Sequence, residues 1–145
     1  MRKGIVICVV AAAFAAGSAS AQSGPTGLWK TVDDKTGQAK SLVRIYEDNG
    51  KIFGKVEKTL RPDAKKTCDK CPDERKGQPM VGLVVIRNLR KDGDEYSGGD
   101  IIDPDTGKIY KCKITLADGG KKLAVRGFIG FSLIGRSQTW TRETE

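Results

Sequence analysis

The feature that most constrains the fold is an apolar–polar alternation with a period of two residues. In the segment Ile109–Leu116, every second side chain from Tyr110 onwards is apolar or aromatic, and the positions between them are lysine or threonine. A period of two is typical of a β-strand that buries one face. Long apolar repeats of helical period are absent outside the N-terminal segment. The pattern therefore predicts an all-β domain.

Turn sequences divide the chain into eight predicted strands. Asn49-Gly50 supplies the positive φ angles of a tight hairpin, and further turns are predicted at residues 91–93, 103–107 and 118–120. Short connections favour an up-and-down antiparallel order, and closure into a barrel would remove exposed edges. Eight strands enclose either a filled core or room for one small ligand. The predicted strands are Gly27–Val32, Ser41–Glu47, Lys51–Lys58, Val81–Leu89, Glu95–Ile102, Ile109–Leu116, Leu123–Ile129 and Arg136–Arg142.

The N-terminus has the organisation of a secretory signal peptide. A basic start at Arg2-Lys3 precedes an apolar run from Ile5 to Ala16, which is too short to span a bilayer. Ala19-Ser20-Ala21 fits the small-x-small rule for cleavage. We therefore predict a signal peptide over residues 1–21, a single domain over residues 22–145, and a periplasmic or secreted protein without a transmembrane span.

The chain is basic, with a formal net charge of +8. Its lysines and arginines are interleaved with acids, as at Lys55, Glu57 and Lys58, which is typical of a solvated surface. A concentrated basic stripe would indicate nucleic-acid binding, and none is evident in the sequence. We predict no nucleic-acid partner; an anionic envelope surface remains an alternative partner.

Catalytic signals are missing from the sequence. The chain has no histidine, which excludes Ser-His and Cys-His nucleophiles and imidazole metal sites. No glycine-rich phosphate loop is present. Asp103-Pro104-Asp105-Thr106-Gly107 resembles the start of a calcium loop but has glycine where a ligand is needed, so a turn is predicted. We predict a protein that is not an enzyme and that has no catalytic residues, metal or cofactor.

Three cysteines follow the predicted cleavage site. In an oxidising compartment we expect Cys68 and Cys71 to form a disulfide within the long connection at residues 59–80. Cys112 lies on the apolar face of its strand, which favours a buried thiol. The alternative is a bond from Cys112 to Cys68 or Cys71, which would tie the long connection to the barrel. Long connections of this kind are lids, binding elements or insertions.

Two motifs resemble those of lipocalins and related small barrels. Gly27-Leu28-Trp29 is similar to the Gly-x-Trp signature, and Trp140-Thr141-Arg142 places an arginine where those barrels stack one on the tryptophan. The whole segment from Gly27 to Arg142 resembles the exported bacterial family of domain of unknown function 2147. Its most specific blocks are Arg126-Gly127-Phe128-Ile129-Gly130 and Gly135-Arg136-Ser137-Gln138-Thr139-Trp140. The resemblance implies a periplasmic lipocalin-like barrel and structural roles for both tryptophans and Arg142, with no established activity.

The first functional hypothesis is a binding module that holds a small, partly apolar or acidic molecule in the barrel. The predicted ligand-binding residues are Tyr110, Arg126, Phe128, Phe131, Leu133 and Arg136. The second hypothesis is an envelope protein-interaction or stress-maintenance module that acts through the basic 59–80 loop. A third is thiol–disulfide exchange by Cys68 and Cys71, although no helix N-terminus is predicted to activate them.

Overall fold

A computed structural model describes residues 24–130 and 134–145, which form an antiparallel β-barrel. The predicted signal peptide lies outside these residues. The only helical element described is a single 3₁₀ turn at Asp118–Gly120 between the sixth and seventh strands. The strands are β1 Gly27–Val32, β2 Ala39–Asp48, β3 Lys51–Thr59, β4 Val84–Asp92, β5 Glu95–Asp103, β6 Lys108–Ala117, β7 Lys122–Phe128 and β8 Gly135–Arg142.

Each strand pairs with the next along the chain, and β8 returns to pair with β1. The predicted closed, eight-stranded, up-and-down barrel is therefore confirmed. β4 begins at Val84 rather than at the predicted Val81, because Gly82 has a positive φ of 94° that interrupts the extended backbone. The amide of Gly82 donates a hydrogen bond to the carbonyl oxygen of Val56 before the regular pairing of β3 with β4 starts. The predicted hairpin at Asn49-Gly50 is also confirmed, with φ angles of 50° and 75°.

β4 and β5 approach each other closely near Asn88 and Gly99, beside β-bulges in the pairing of β3 with β4 and of β5 with β6. Asn88 has a positive φ of 62°, and Gly99 lies so close to β4 that a Cβ there would sit 1.9 Å from the carbonyl oxygen of Arg87. Only glycine allows this approach of two backbones. Such bulges increase the coiling that a barrel of eight strands needs to close.

One end of the barrel is plugged by aromatic and guanidinium groups. The guanidinium carbon of Arg142 lies 4.3 Å from the ring centroid of Trp29, as the resemblance implied. Arg142 also donates hydrogen bonds to the carbonyl oxygens of Gly120, Thr26 and Gly24, at 2.7, 2.9 and 2.7 Å. The Trp29 indole is fully buried and donates to the carbonyl oxygen of Pro25. We call this the closed end.

The β3–β4 connection, residues 60–83, packs against the barrel, and its Cys68, Cys71, Met80 and Leu83 belong to the buried hydrophobic core. The predicted Cys68–Cys71 disulfide is present, and both cysteines are buried. The Cys68 sulfur lies 3.9 Å from the carbonyl oxygen of Pro104, which follows β5. Gly107 packs against the carbonyl group of Lys70. The connection is therefore part of the packed structure.

An ion-pair network around the buried Arg75 fastens this connection to β4. The guanidinium of Arg75 donates to both carboxylate oxygens of Asp73, at 3.0 and 2.7 Å, and to the carbonyl oxygen of Val84 at 2.8 Å. Arg87 of β4 adds a 3.0 Å contact to Asp73. These hydrogen bonds, led by those from Arg75, hold the pKa of Asp73 well below its usual range.

Cys112 is a buried free thiol, as its position on the apolar face of β6 predicted. Burial, with a smaller contribution from the charge of Asp100, raises the pKa of this thiol to about 12. The thiol therefore stays protonated and unreactive at neutral pH.

Candidate functional site: the barrel cavity

The end of the barrel opposite the Trp29 plug opens into a cavity of about 800 Å³. Its rim is formed by the β1–β2, β5–β6 and β7–β8 connections and by the start of the β3–β4 connection. We call this end the mouth. The cavity reaches inward between the strands and is bounded by residues from all eight strands.

The inner walls of the cavity are mainly apolar. Inward-facing positions of β7 alternate with outward-facing ones, so Val125 lines the cavity whereas its neighbour Ala124 is exposed. The apolar lining comprises Val43, Val56, Val85, Ile101, Ile102, Val125 and Trp140. A surface of this composition favours an apolar guest because such a guest loses its hydration on entering.

The apolar lining also contains a few polar side chains. The hydroxyls of Thr31 and Ser41 are 2.8 Å apart and satisfy each other. The Trp140 indole donates to the amide oxygen of Gln138 at 2.9 Å. The side chain of Tyr110 is half-buried and lines the cavity, with no hydrogen-bond partner for its hydroxyl in the described residues. Tyr110 is thus a polar group available to a guest.

An ion-pair cluster crosses one side of the mouth. Arg61 lies 3.2 Å from a carboxylate oxygen of Asp33 and 3.4 Å from one of Asp105, and Lys40 lies 2.9 Å from Asp105. Burial would raise the pKa of Asp105, but the hydrogen bond from Lys40 and the charge of Arg61 hold that pKa below its usual value. The buried Nε of Arg61 has no acceptor in the described residues.

Asp34 holds the other side of the mouth together. Its carboxylate accepts from the Gln138 side chain at 2.6 Å and lies 3.1 Å from the Nε of Arg136. Asp34 belongs to the β1–β2 connection, whereas both partners belong to β8. These contacts bridge β1 and β8 where their backbone pairing has already ended.

The comparisons with known proteins agree with this architecture. The family model described as uncharacterized protein conserved in bacteria, DUF2147, matches residues 27–142. The chain belongs to the DUF2147 family. Comparison with curated proteins gives no match.

A solved structure supports the fold of the DUF2147 barrel independently. It is protein HP1028 from the human pathogen Helicobacter pylori, described as belonging to the lipocalin family. The TM-score is 0.74 at 21% sequence identity, and the match covers 84% of each chain. At this identity the similarity establishes the fold alone.

The structure brings half of the predicted ligand-binding residues to the cavity. Tyr110, Phe128 and Arg136 line it, the last two at the mouth. Arg126 does not line it: it pairs in register with Lys113 and Ser137 on the outer face and donates to the Ser137 hydroxyl at 3.1 Å. The strand alternation that turns Val125 inward turns Arg126 outward. Phe131 and Leu133 lie outside the described residues.

The ion-pair cluster at the mouth of the DUF2147 barrel was not predicted from sequence. Asp33, Arg61 and Asp105 come from three connections that are distant in the chain and meet only when the barrel closes. The available signal was the placement of Asp33 and Asp105 in turns at one end of their strands, since alternate connections of an up-and-down barrel share an end. That rule predicts which turns lie at the same end of the barrel, but it does not predict which of their side chains form ion pairs.

No metal-ligand cluster or membrane-crossing helix is found in the described part of the chain. Across residues 24–130 and 134–145, no three His, Cys, Asp or Glu side chains are grouped as a metal site would require. In the same ranges, no helix has the length and apolar character needed to cross a bilayer.

Proposed function

We propose that this DUF2147 protein is an exported, non-enzymatic binding protein that holds one small, largely apolar molecule in its barrel. The observation that carries the proposal is the cavity of about 800 Å³ open to solvent at the mouth. Ligand sites in proteins typically measure about 300–1,000 Å³. A filled barrel would leave no such space.

The distribution of polarity along the cavity supports an amphipathic guest. Deep positions such as Val43 and Val125 are apolar, whereas charged side chains lie only around the mouth. An apolar body inside the barrel, with its polar end toward solvent, would match both surfaces. The Tyr110 hydroxyl provides a hydrogen-bonding group between them.

An acidic end group would have to compete for the cations of the mouth. Arg136 already contacts Asp34, and Arg61 contacts Asp33 and Asp105. A guest carboxylate could replace one of these aspartates on a guanidinium, since the geometry of the two pairings is the same. We therefore expect the apolar body of the guest, rather than an acidic end group, to contribute most to its recognition.

Ligand binding to purified protein tests the proposal. N-phenyl-1-naphthylamine, an apolar dye that fluoresces when desolvated, is expected to bind the wild-type barrel. Val125→Phe should weaken that binding at least tenfold because the ring fills the cavity. Native mass spectrometry of protein purified from its own host should also detect a bound small molecule.

Two further variants make the test decisive. Ala124→Phe adds the same ring one residue away on the outer face and should bind the dye as wild type does. Gly127→Leu extends a side chain beside Tyr110 and Ile101, where a Cβ meets only ordinary contacts of 3.4–3.6 Å, so the barrel should fold with a smaller cavity. Equal dye binding by all variants, or absence of binding by wild type, would refute a ligand held in the barrel.

The thiol-redox alternative is disfavoured by burial. Cys68 and Cys71 are 0% and 1% exposed, and a disulfide-exchange catalyst must present a sulfur to its partner. The envelope-interaction alternative retains the exposed lysines of the β3–β4 connection, but much of the remaining charge there is used internally, by Asp73, Glu74 and Arg75. The cavity is therefore the better-supported site.

A further inference from the structure

The largest exposed apolar side chains near the mouth lie together on one side of it. Ile129 and Ile134 are 61% and 72% exposed, and both contribute to the rim of the cavity. The backbone amide of Ile129 donates to the carbonyl oxygen of Ile134 at 3.1 Å, so the two residues are held next to each other. Ile109, 40% exposed, lies at the start of the adjacent β6. We call these three residues the isoleucine rim.

The wall below the isoleucine rim is cationic. Between Thr106 and Arg142 the chain has eight basic residues and one acid, Asp118, which lies at the opposite, closed end. β6, β7 and β8 contain no aspartate or glutamate, so the interleaving of charges expected from the whole sequence does not hold on this side of the barrel. Five of the basic residues, Lys108, Lys111, Lys113, Arg126 and Arg136, lie on the mouth side of this wall, whereas Lys121, Lys122 and Arg142 lie at the closed end with Asp118.

Like charges are neighbours on this wall. Lys113 and Arg126 are direct cross-strand partners on the outer face, and Lys111 lies two residues from Lys113 on the same face. Like-charged cross-strand pairs are unfavourable in an isolated sheet. Lys108 and Lys111 are exposed and form no ion pair in the described residues, although they lie opposite Asp103 and Asp100 of β5. Lys113 lies 4.0 Å from Glu95 of β5. An anionic surface placed against this wall would relieve the repulsion.

We propose that the mouth of the barrel docks on an anionic phospholipid bilayer through the isoleucine rim and the cationic wall of β6, β7 and β8. The isoleucines would enter the interface between headgroups and acyl chains, and the lysines would contact lipid phosphates. Stable binding of a protein to the surface of a bilayer requires two contributions, here the insertion of apolar side chains and the attraction between basic side chains and anionic lipids.

A bilayer fits the two features better than a nucleic acid or an acidic protein does. Nucleic-acid surfaces are recognised by basic groups with stacking aromatics, whereas the exposed apolar groups here are aliphatic. An acidic protein would satisfy the lysines but would not by itself explain isoleucines at the outermost edge of a cavity. Docking of this edge would also direct the mouth toward the lipid phase. The proposal does not depend on a ligand in the barrel, because the isoleucine rim and the basic wall are surface features.

Vesicle flotation tests the proposal. The full chain is expressed in a Gram-negative host and purified in the form the host delivers, with its N-terminus determined by mass spectrometry. The protein is expected to float with phosphatidylcholine vesicles that contain 30% phosphatidylglycerol, but not with pure phosphatidylcholine. Binding should fall at least fivefold in 0.5 M NaCl, because salt screens the contacts between lysines and phosphates.

Paired substitutions separate the two contributions. Ile129→Ser with Ile134→Ser should reduce flotation at least fivefold, whereas Val81→Ser, which changes an equally exposed residue of the β3–β4 connection, should leave it unchanged. Lys108→Gln with Lys111→Gln should reduce it about tenfold. Lys55→Gln with Lys58→Gln removes the same charge from exposed positions of β3 and should have no such effect.

Several outcomes would overturn the docking proposal. These are absence of flotation by wild type, equal flotation with neutral vesicles, and equal losses in the Lys55 and Lys58 control. All four variants change exposed side chains, so unchanged thermal unfolding should accompany each result. Dye binding by the wild-type protein is scored separately; its absence together with normal flotation would refute the ligand proposal and leave the docking proposal standing.

Discussion

At the scale of single residues, Arg142 makes the contacts that hold the closed end of the barrel together. Its guanidinium stacks on Trp29 and donates to three carbonyl oxygens that belong to different parts of the chain. Two of these, on Gly24 and Thr26, belong to the segment before β1, so a single side chain fixes the segment, β1 and β8 together. Burial lowers the pKa of Arg142, but the group remains charged at all physiological pH values.

Replacement of Arg142 should therefore be costly. We expect Arg142→Met to lower the free energy of unfolding by about 3 kcal/mol, since it removes a cation–π contact and leaves carbonyl oxygens without donors. Urea unfolding followed by circular dichroism measures the change. Arg90→Met, at an exposed position of β4, is the control and should stay within about 0.5 kcal/mol of wild type. A loss below 1 kcal/mol for Arg142→Met would contradict this role.

At the scale of elements, the β3–β4 connection is held by a small disulfide ring and a charged network. The ring spans only three residues in sequence, so its effect on the unfolded chain is limited. The contacts of Asp73 with Arg75 and Arg87 reach from the connection to β4. The network helps to explain how an unusually long connection, whose ordered pairing is a single β-bridge between Thr67 and Pro79, stays packed on the barrel.

The network makes stability depend on pH in a defined direction. The folded-state pKa of Asp73 lies below its unfolded value, so its contribution is complete above about pH 4 and is lost as the pH falls through the folded pKa. We expect Asp73→Asn to destabilise the protein by about 1–2 kcal/mol at pH 7, with a difference from wild type that shrinks below pH 4. Urea titrations at pH 7 and pH 2.5 measure both values.

The control for Asp73 is another aspartate of the same connection. Asp63 is 83% exposed and lies 3.9 Å from its nearest cation, so Asp63→Asn should change stability little at either pH. A constant difference between Asp73→Asn and wild type from pH 7 to pH 2.5 would exclude the network as the source of acid sensitivity.

At the scale of the whole molecule, the barrel closes through a short seam. β1 and β8 pair in register only at Trp29 with Arg142 and at Lys30 with Thr141, whereas β6 and β7 pair along the whole of β7. Toward the mouth the seam is completed by side chains, through Asp34 with Gln138 and Arg136. The cavity therefore lies beside the weakest part of the wall.

Native-state hydrogen exchange should detect this difference. We expect the seam amides of Lys30 and Thr141 to exchange by local opening, at least tenfold faster than those of Ile114 and Val125, which should exchange only on global unfolding. Two-dimensional NMR after transfer to D₂O measures the rates. Asp34→Ala should accelerate the seam amides alone; equal protection of the seam and of β6–β7 would contradict a weak closure.

Much of the fold was determined by the sequence because strand periodicity and turn chemistry are local. The alternation in Ile109–Leu116 and the turn at Asn49-Gly50 depend on neighbouring residues, and both are present as predicted. The disulfide and the Trp29–Arg142 stack were also predicted, the first from spacing and compartment and the second from the resemblance.

The tertiary structure alone decided which side chains of different strands and connections meet, and how much space they leave inside the barrel. Which face of β7 turns toward the cavity is decided by the pairing of that strand in the closed sheet, and the meeting of Arg61 with Asp105 follows from closure. The same holds for the hollow interior, because the sequence specifies which side chains face inward but not how completely they fill the space. Strand direction is a local property, whereas cavity volume and charge distribution arise only when all eight strands are assembled.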